Sequence, residues 1–152
     1  MPHIHEKIDF TVEVFIVHKN KVLLRLHDKY NIWLSVGGHI ELDEEPNQAA
    51  IREVKEEMGL DIKLFDDLKI YSENNDEHIE LIPPKFLNIH KINNLHQHIG
   101  LVYFAKSNSD KVIPEKSSDK WKWLTKDELG NMDLKPNIRF YAETALKQLG
   151  NK

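Results

Sequence analysis

Cysteine is absent from the 152 residues. That absence removes disulfides, thiolate zinc sites, iron–sulfur clusters and cysteine nucleophiles together. Any metal must therefore be held by Asp, Glu, His or backbone oxygen. A basic excess is missing too: 21 Lys and Arg stand against 25 Asp and Glu, a formal net charge of −4 with His neutral. This argues against a nucleic-acid partner, which a basic surface would attract. It does not exclude small phosphate ligands whose charge a cation could carry. No uninterrupted apolar run approaches the ~20 residues of a membrane span, so no membrane partner is expected. The opening Met1-Pro2-His3-Ile4-His5-Glu6-Lys7 lacks the basic-then-apolar pattern of a signal peptide. Internal repeats, low-complexity tracts and Gly/Ser linkers are also missing. The expectation is a soluble cytoplasmic protein with a single domain over residues 1–152, since domains typically hold ~100–150 residues. A homodimer is compatible with this composition.

What is present reads as alternating strands and helices. Residues 10–17 are β-branched and aromatic, and predict a strand. Residues 18–20 form a turn and 21–26 the returning strand. Residues 27–33 read as a polar loop, followed by a turn at Gly37-Gly38, where glycine widens the backbone's choices. Residues 46–58 have the strongest helical pattern. Pro46 suits the first helical position, Asp43, Glu44 and Glu45 complement the helix dipole, and Gly59 fits the residue past the end. Ala50, Ile51, Val54 and Met58 would make its apolar stripe. Residues 62–71 predict a strand and 72–77 a loop tip. Pro83-Pro84 excludes a regular central strand there, and 78–92 has no clear pattern. Residues 95–105 predict a long strand and 121–124 a short one. Thr125 with Glu128 has capping-box spacing, and Pro136 opens a last helix ending at Gly150. Several strands with one early and one late helix predict an α/β (α+β) domain whose helices cover a mixed sheet.

The chemistry concentrates between Gly38 and Leu60. Glu53, Glu56 and Glu57 stand at i, i+3 and i+4, so they share one side of the helix. At ~5–6 Å and an effective dielectric near 20, each like-charged pair costs roughly 3 kcal/mol before relaxation. In full solvation it costs only ~0.2–0.5 kcal/mol. One reading is a solvated acidic face neutralised by Arg52, Lys55 and water. The other is a hard-cation site, in which Mg²⁺ or Mn²⁺ turns repulsion into attraction.

This segment resembles the Nudix box, the signature of the Nudix hydrolases. The pattern is Gly, five residues, Glu, seven residues, then Arg-Glu-apolar-any-Glu-Glu-any-Gly-apolar. Here it reads Gly38, Glu44, then Arg52-Glu53-Val54-Lys55-Glu56-Glu57-Met58-Gly59-Leu60, with every defined position filled. More loosely, the resemblance covers most of the chain, including the later strands, the Trp-Leu-Thr-x-x-Glu-Leu segment and the closing helix. One departure is Val36 before Gly37-Gly38, where many relatives have proline.

The resemblance implies a Nudix-type α/β/α sandwich with a central mixed sheet. It implies metal-dependent hydrolysis of a diphosphate linkage in a nucleoside diphosphate derivative, with Mg²⁺ (or Mn²⁺) as cofactor and a small nucleotide-type substrate as partner. Glu56 and Glu57 would be the principal cation ligands. Glu53 would be a further ligand or the base that takes the proton from water. The Gly37 carbonyl would complete the site. Arg52 would orient a neighbouring Glu, and Glu44 would brace the loop or reach the cation through water. Gly38 and Gly59 would be scaffold, with Glu41 behind the site. Subgroup marks for ADP-ribose or dinucleoside polyphosphates are absent near Asn75 and from Asp76 to His78. These absences leave the substrate open, and a nucleoside triphosphate, as in small MutT-like members, is favoured because a single domain is expected. The alternative is a catalytically silent nucleotide-binding module, which usually loses box carboxylates. A prenyl diphosphate isomerase would need the missing cysteine.

The nine histidines invite a second metal reading. His96-x-His98 puts two rings on one face of a strand. Zinc normally takes three or more protein ligands, and spacing fixes no third, although His39 or His90 could lie near. A structural or substrate-contacting role is favoured, so His39, His96 and His98 are candidate substrate contacts, together with Glu115. The general base is expected at Glu53, then Glu115, then Glu80. Trp33, Tyr103 and Phe104 could stack on a base, but strand aromatics more often belong to the core.

Overall fold

The computed structural model describes residues 7–66 and 74–151. In chain order the elements are β1 (Ile8–His18), β2 (Lys21–His27), β3 (Ile32–Leu34), β4 (Val36–His39), α1 (Pro46–Met58), β5 (Ile62–Leu64), β6 (Phe86–Asn93), β7 (His96–Ser107), β8 (Trp121–Leu124), α2 (Lys126–Gly130) and α3 (Pro136–Leu149). The eight strands form one mixed sheet along the path β3-β2-β1-β7-β5, with β4 also on β1, β6 on β7 and β8 on β2. β1 and β7 run parallel from Ile8–Gln97 to Val17–Lys106, and the other pairings are antiparallel.

Strand alternation sorts the core into two layers. Val12, Val14, Ile16, Leu23, Val36, Tyr103 and Ala105 face α1 through Ala49, Ala50, Val54 and Met58. On the other side Phe15, Val17, Val22, Leu24, Val102 and Phe104 meet Leu129 of α2 and Ile138, Tyr141, Ala142, Ala145 and Leu149 of α3. Burying each large apolar side chain contributes about 1.5–3 kcal/mol relative to leaving it exposed. The sheet is thus sandwiched between helices, as expected. Among the described residues no helix is long and apolar enough to cross a membrane.

Caps fix the ends of α1. Glu45 is the N-cap, in a capping box with Gln48, and Pro46 follows it. Gly59 closes the helix in the left-handed region at φ 66, its N–H donating to the Lys55 carbonyl. Thr125 and Glu128 form the expected capping box at α2.

Several expectations need correction. Gly37-Gly38 is not a turn but part of β4, paired with Glu13 and Val12 of β1. A Cβ at Gly37 would overlap the Val12 carbonyl, so the glycine serves close strand approach. The loop expected over 27–33 ends early, because Ile32 begins β3 against His27. β6 begins just past Pro83-Pro84, once every residue can again donate its N–H. Ile51 lies outside the apolar stripe of α1 and is 46% exposed. The strand expected over 62–71 is seen as Ile62–Leu64, and its stretch 67–71, with 72 and 73 of the loop tip, lies outside the described residues.

Candidate active site

The loop from Ile40 to Glu45 and helix α1 gather the box side chains around Arg52. Its guanidinium grips Glu44 with two hydrogen bonds, Nε to Oε2 at 2.6 Å and Nη2 to Oε1 at 2.9 Å. Nη1 donates to Glu53 at 3.0 Å and Glu56 at 3.1 Å, and Nη2 also reaches the His39 carbonyl at 3.1 Å. A planar fork of five donors suits this convergence, and a lysine could not reproduce it. Glu44 also accepts from the Glu41 N–H at 3.0 Å, which closes the loop on itself. The hydrogen bonds from Arg52 hold the Glu44 carboxyl below the usual range. Glu41 otherwise stands exposed.

The three helix carboxylates are not equivalent. Glu53 and Glu57 point inward and are 3% and 8% exposed, whereas the Glu56 side chain is 54% exposed. Gly38 in β4 leaves the room that the Glu53 carboxyl occupies. Arg25 of β2 donates to Glu57 Oε2 at 2.8 Å. Burial pushes Glu57 up to about 9; Arg25 opposes the shift, while hydrogen bonding to Glu53 and the charges of Glu53 and Glu115 add to it. Burial likewise raises Glu53, with Glu57 and Arg52 opposing. Two buried carboxyls in contact cannot both ionise cheaply, so at neutral pH they hold a proton between them. A divalent cation could take that proton's place, with Glu53, Glu56, Glu57 and the carbonyl of Gly37 as oxygen donors of the kind Mg²⁺ and Mn²⁺ prefer.

The C-terminal end of α1 brings in a distant loop. Ile113 N–H donates to the Met58 carbonyl and Glu115 N–H to the Glu57 carbonyl, satisfying helix-end acceptors. Glu115 is thereby held beside Glu57. At the other end, Asn47 exchanges hydrogen bonds with the Ile82 backbone, both at 2.8 Å. Glu80, two residues away, faces His78 at 3.0 Å. Tyr103 and Phe104 lie in the core. Trp33 is only partly buried, with Lys122 Nζ 5.3 Å from its ring centroid.

The histidines occupy the opposite face of the sheet. His39 follows Gly38, so its ring points away from α1, while its carbonyl reaches Arg52. His98 pairs with Asp9 across β7 and β1, and His39 pairs with Thr11. Alternation places Asp9, Thr11, His96 and His98 on the side of Phe15, Val102 and Phe104. There His39 Nε2 is 3.4 Å and His96 Nε2 3.3 Å from Asp9 Oδ2. The immediate neighbours of His96 and His98 thus include Asp9, His39, His90 (its ring centroid 5.7 Å from that of His98) and each other, rather than the helix carboxylates.

Sequence reasoning missed Arg25 and Asp9. Arg25 carried a signal: it alternates with Leu23 in an apolar strand, which places a charge on a buried face. Asp9 is a lone acid ahead of a strand, and only the fold pairs it with residues 87 to 89 positions later, His96 and His98.

The comparisons with known proteins agree with this geometry. A family model described as NUDIX domain matches residues 9–147. A crystal structure of a NUDIX-family hydrolase from Clostridium perfringens is 39% identical, with a TM-score of 0.83 over 93% of this chain and 97% of that one. A MutT NUDIX hydrolase from Burkholderia pseudomallei is 22% identical, with a TM-score of 0.64 over 95% of this chain and 99% of that one. The MutT protein from Methanosarcina mazei is 17% identical, with a TM-score of 0.66 over 95% and 97%. The last two share the fold.

Proposed function

The chain belongs to the NUDIX family of hydrolases, and from that membership we propose a Mg²⁺- or Mn²⁺-dependent pyrophosphohydrolase acting on a nucleoside diphosphate derivative, with a nucleoside triphosphate favoured. One observation carries the reading. Two buried carboxyls, Glu53 and Glu57, lie together beside Glu56 and are braced by Arg52 and Arg25. A structural role alone gives no reason to hold like charges together at such cost, whereas a cation site does.

The bound cation would mask phosphate charge and make its water more acidic. The chain's own residues do the rest. Arg52 keeps Glu53 and Glu56 in fixed orientation through charge-assisted hydrogen bonds. Arg25 fixes Glu57. Glu53, or Glu115 on the adjoining loop, takes the proton from water as its oxygen bonds to phosphorus. The bond from phosphorus to the bridging oxygen breaks, and that oxygen leaves on a phosphorylated fragment. The backbone of Gly37 and Gly38 packs β4 against β1, so the carboxyl of Glu53 meets no side chain there.

A cavity of about 510 Å³ lies at the sheet edge, lined by Leu26, Trp33, Asp119, Lys120, Trp121 and Lys122. Trp121 pairs in register with Arg25, whose guanidinium donates to Glu57. Aromatic rings and lysines there suit a base and its phosphates. The test is a product screen over nucleoside triphosphates, nucleotide sugars, dinucleotides and ADP-ribose, with and without Mg²⁺. Mg²⁺-dependent release of a phosphorylated fragment is expected, fastest with a triphosphate. No cleavage of any diphosphate linkage would overturn the reading.

A further inference from the structure

We propose that Asp9, His39 and His98 form a second site, for a divalent cation of the zinc class, on the face of the sheet away from α1. The proposal does not rest on the hydrolase reading; it uses other residues. A ligand atom from each of Asp9, His39 and His98 lies within 4.8 Å of the others. The contact between His39 Nε2 and Asp9 Oδ2, at 3.4 Å, already matches a tetrahedral site: bonds of ~2.0–2.1 Å place its ligand atoms roughly 3.3 Å apart. The rings also crowd one centre. His98 lies edge-on to His39 at 4.9 Å between centroids and to His96 at 5.0 Å.

Three further features favour a cation. Asp9 and His39 are 1% and 7% exposed, so these donors are held out of competing bulk water. The donors sit on paired strands β4, β1 and β7, so the sheet holds them in place. Imidazoles with one carboxylate suit zinc, iron, cobalt or nickel, whereas Mg²⁺ takes oxygen donors. Three protein donors leave the fourth position of a tetrahedral ion to water. The ion would tie β4 to β1 and β7 at the end of the sheet.

The test uses the full chain, stripped of metal by a chelator and dialysis. One equivalent of Co²⁺ should give the strong visible absorption of a four-coordinate, imidazole-ligated ion. Zn²⁺ should displace it and raise the melting temperature, and excess Mg²⁺ should leave the absorption unchanged. His98→Asn and His39→Gln should each weaken Co²⁺ binding at least tenfold, while Glu56→Gln leaves it unchanged. An absorption that survives both histidine variants, or never forms, overturns the proposal. If a variant fails to fold, the imidazole proton resonances of the wild-type chain decide: Zn²⁺ at one equivalent should shift several of them, and unmoved resonances refute the site.

Discussion

A Cβ built on Gly38 falls 2.5 Å from Oε1 of Glu53 and 2.6 Å from its carboxyl carbon. The box glycine is therefore the space in which the buried carboxyl sits. Gly38 is outside the left-handed region, so its backbone accepts alanine and only Glu53 must move. We predict that Gly38→Ala lowers hydrolysis at least ~10²-fold, the loss a misplacement of about 1 Å can cause, with a cooperative melt retained. Steady-state rates and thermal melting check this. Wild-type turnover would show that the position of Glu53 does not matter to the reaction.

Glu57→Gln removes a charge and keeps the shape. The expected loss is at least ~10²-fold in rate, in the range seen when one electrostatic group at a reacting centre is removed. Glu45→Gln lies in the same segment but only caps the helix through Gln48, and glutamine still offers an oxygen. Its rate should stay within about twofold. Equal losses in the two variants would move the site elsewhere.

Arg52→Lys keeps the charge and loses the fork. Four acceptors share the guanidinium: Glu44, Glu53, Glu56 and the His39 carbonyl. A lysine cannot reach them together, so we expect a destabilisation of about 1–3 kcal/mol, given ~1.5–3 kcal/mol for hydrogen bonds to charged groups. The rate should fall with it. Denaturant unfolding measures the first effect, and an unchanged midpoint would contradict it.

Metal binding should release a proton. Glu57 is raised to about 9 from an ordinary value near 4.5, so between those pH values the metal-free folded chain holds a proton that the unfolded chain has lost. This contribution to stability is fully present below pH 4.5 and is lost as pH rises towards 9. The affinity for Mg²⁺ should rise across the same window, because the cation competes with that proton. Calorimetric titration with Mg²⁺ at pH 7, in buffers of different ionisation heat, should show close to one proton released per chain. A buffer-independent heat would refute the shared proton.

Chelation tests the cation itself. Hydrolysis should vanish after EDTA and dialysis, return with Mg²⁺ or Mn²⁺, and be accompanied by a higher melting temperature through preferential binding to the folded state. Persistent activity in the metal-free protein would sink this expectation.

Helix α1 was legible because its information is local. A proline, a glycine, an apolar stripe and carboxylates three and four apart all lie within one element. The inward turn of Glu53 and Glu57, with Glu56 left outside, was not legible. It depends on the space at Gly38 and on Arg25, both supplied by strands that meet the helix only in the folded sheet. Gly37-Gly38 misled for a related reason. Glycine also marks close backbone approach, and here it lets β4 lie against β1. The face taken by His96 and His98 depends on the register of β7 against β1, which the alternation of a single strand cannot settle.

The parallel ladder of β1 and β7 also governs the order of assembly. Its partners keep a constant offset of 89 positions, from 97 − 8 to 106 − 17. Contacts so distant in sequence form slowly, because the intervening chain must first be closed into a loop. Glu53 and Glu57 meet within a single helical turn, but Asp9 and His98 become neighbours only when the ladder is built. A zinc-class ion therefore finds these ligands together only in chains that have closed this long loop. An ion bound there stabilises the finished sheet by binding the folded chain in preference to the unfolded one.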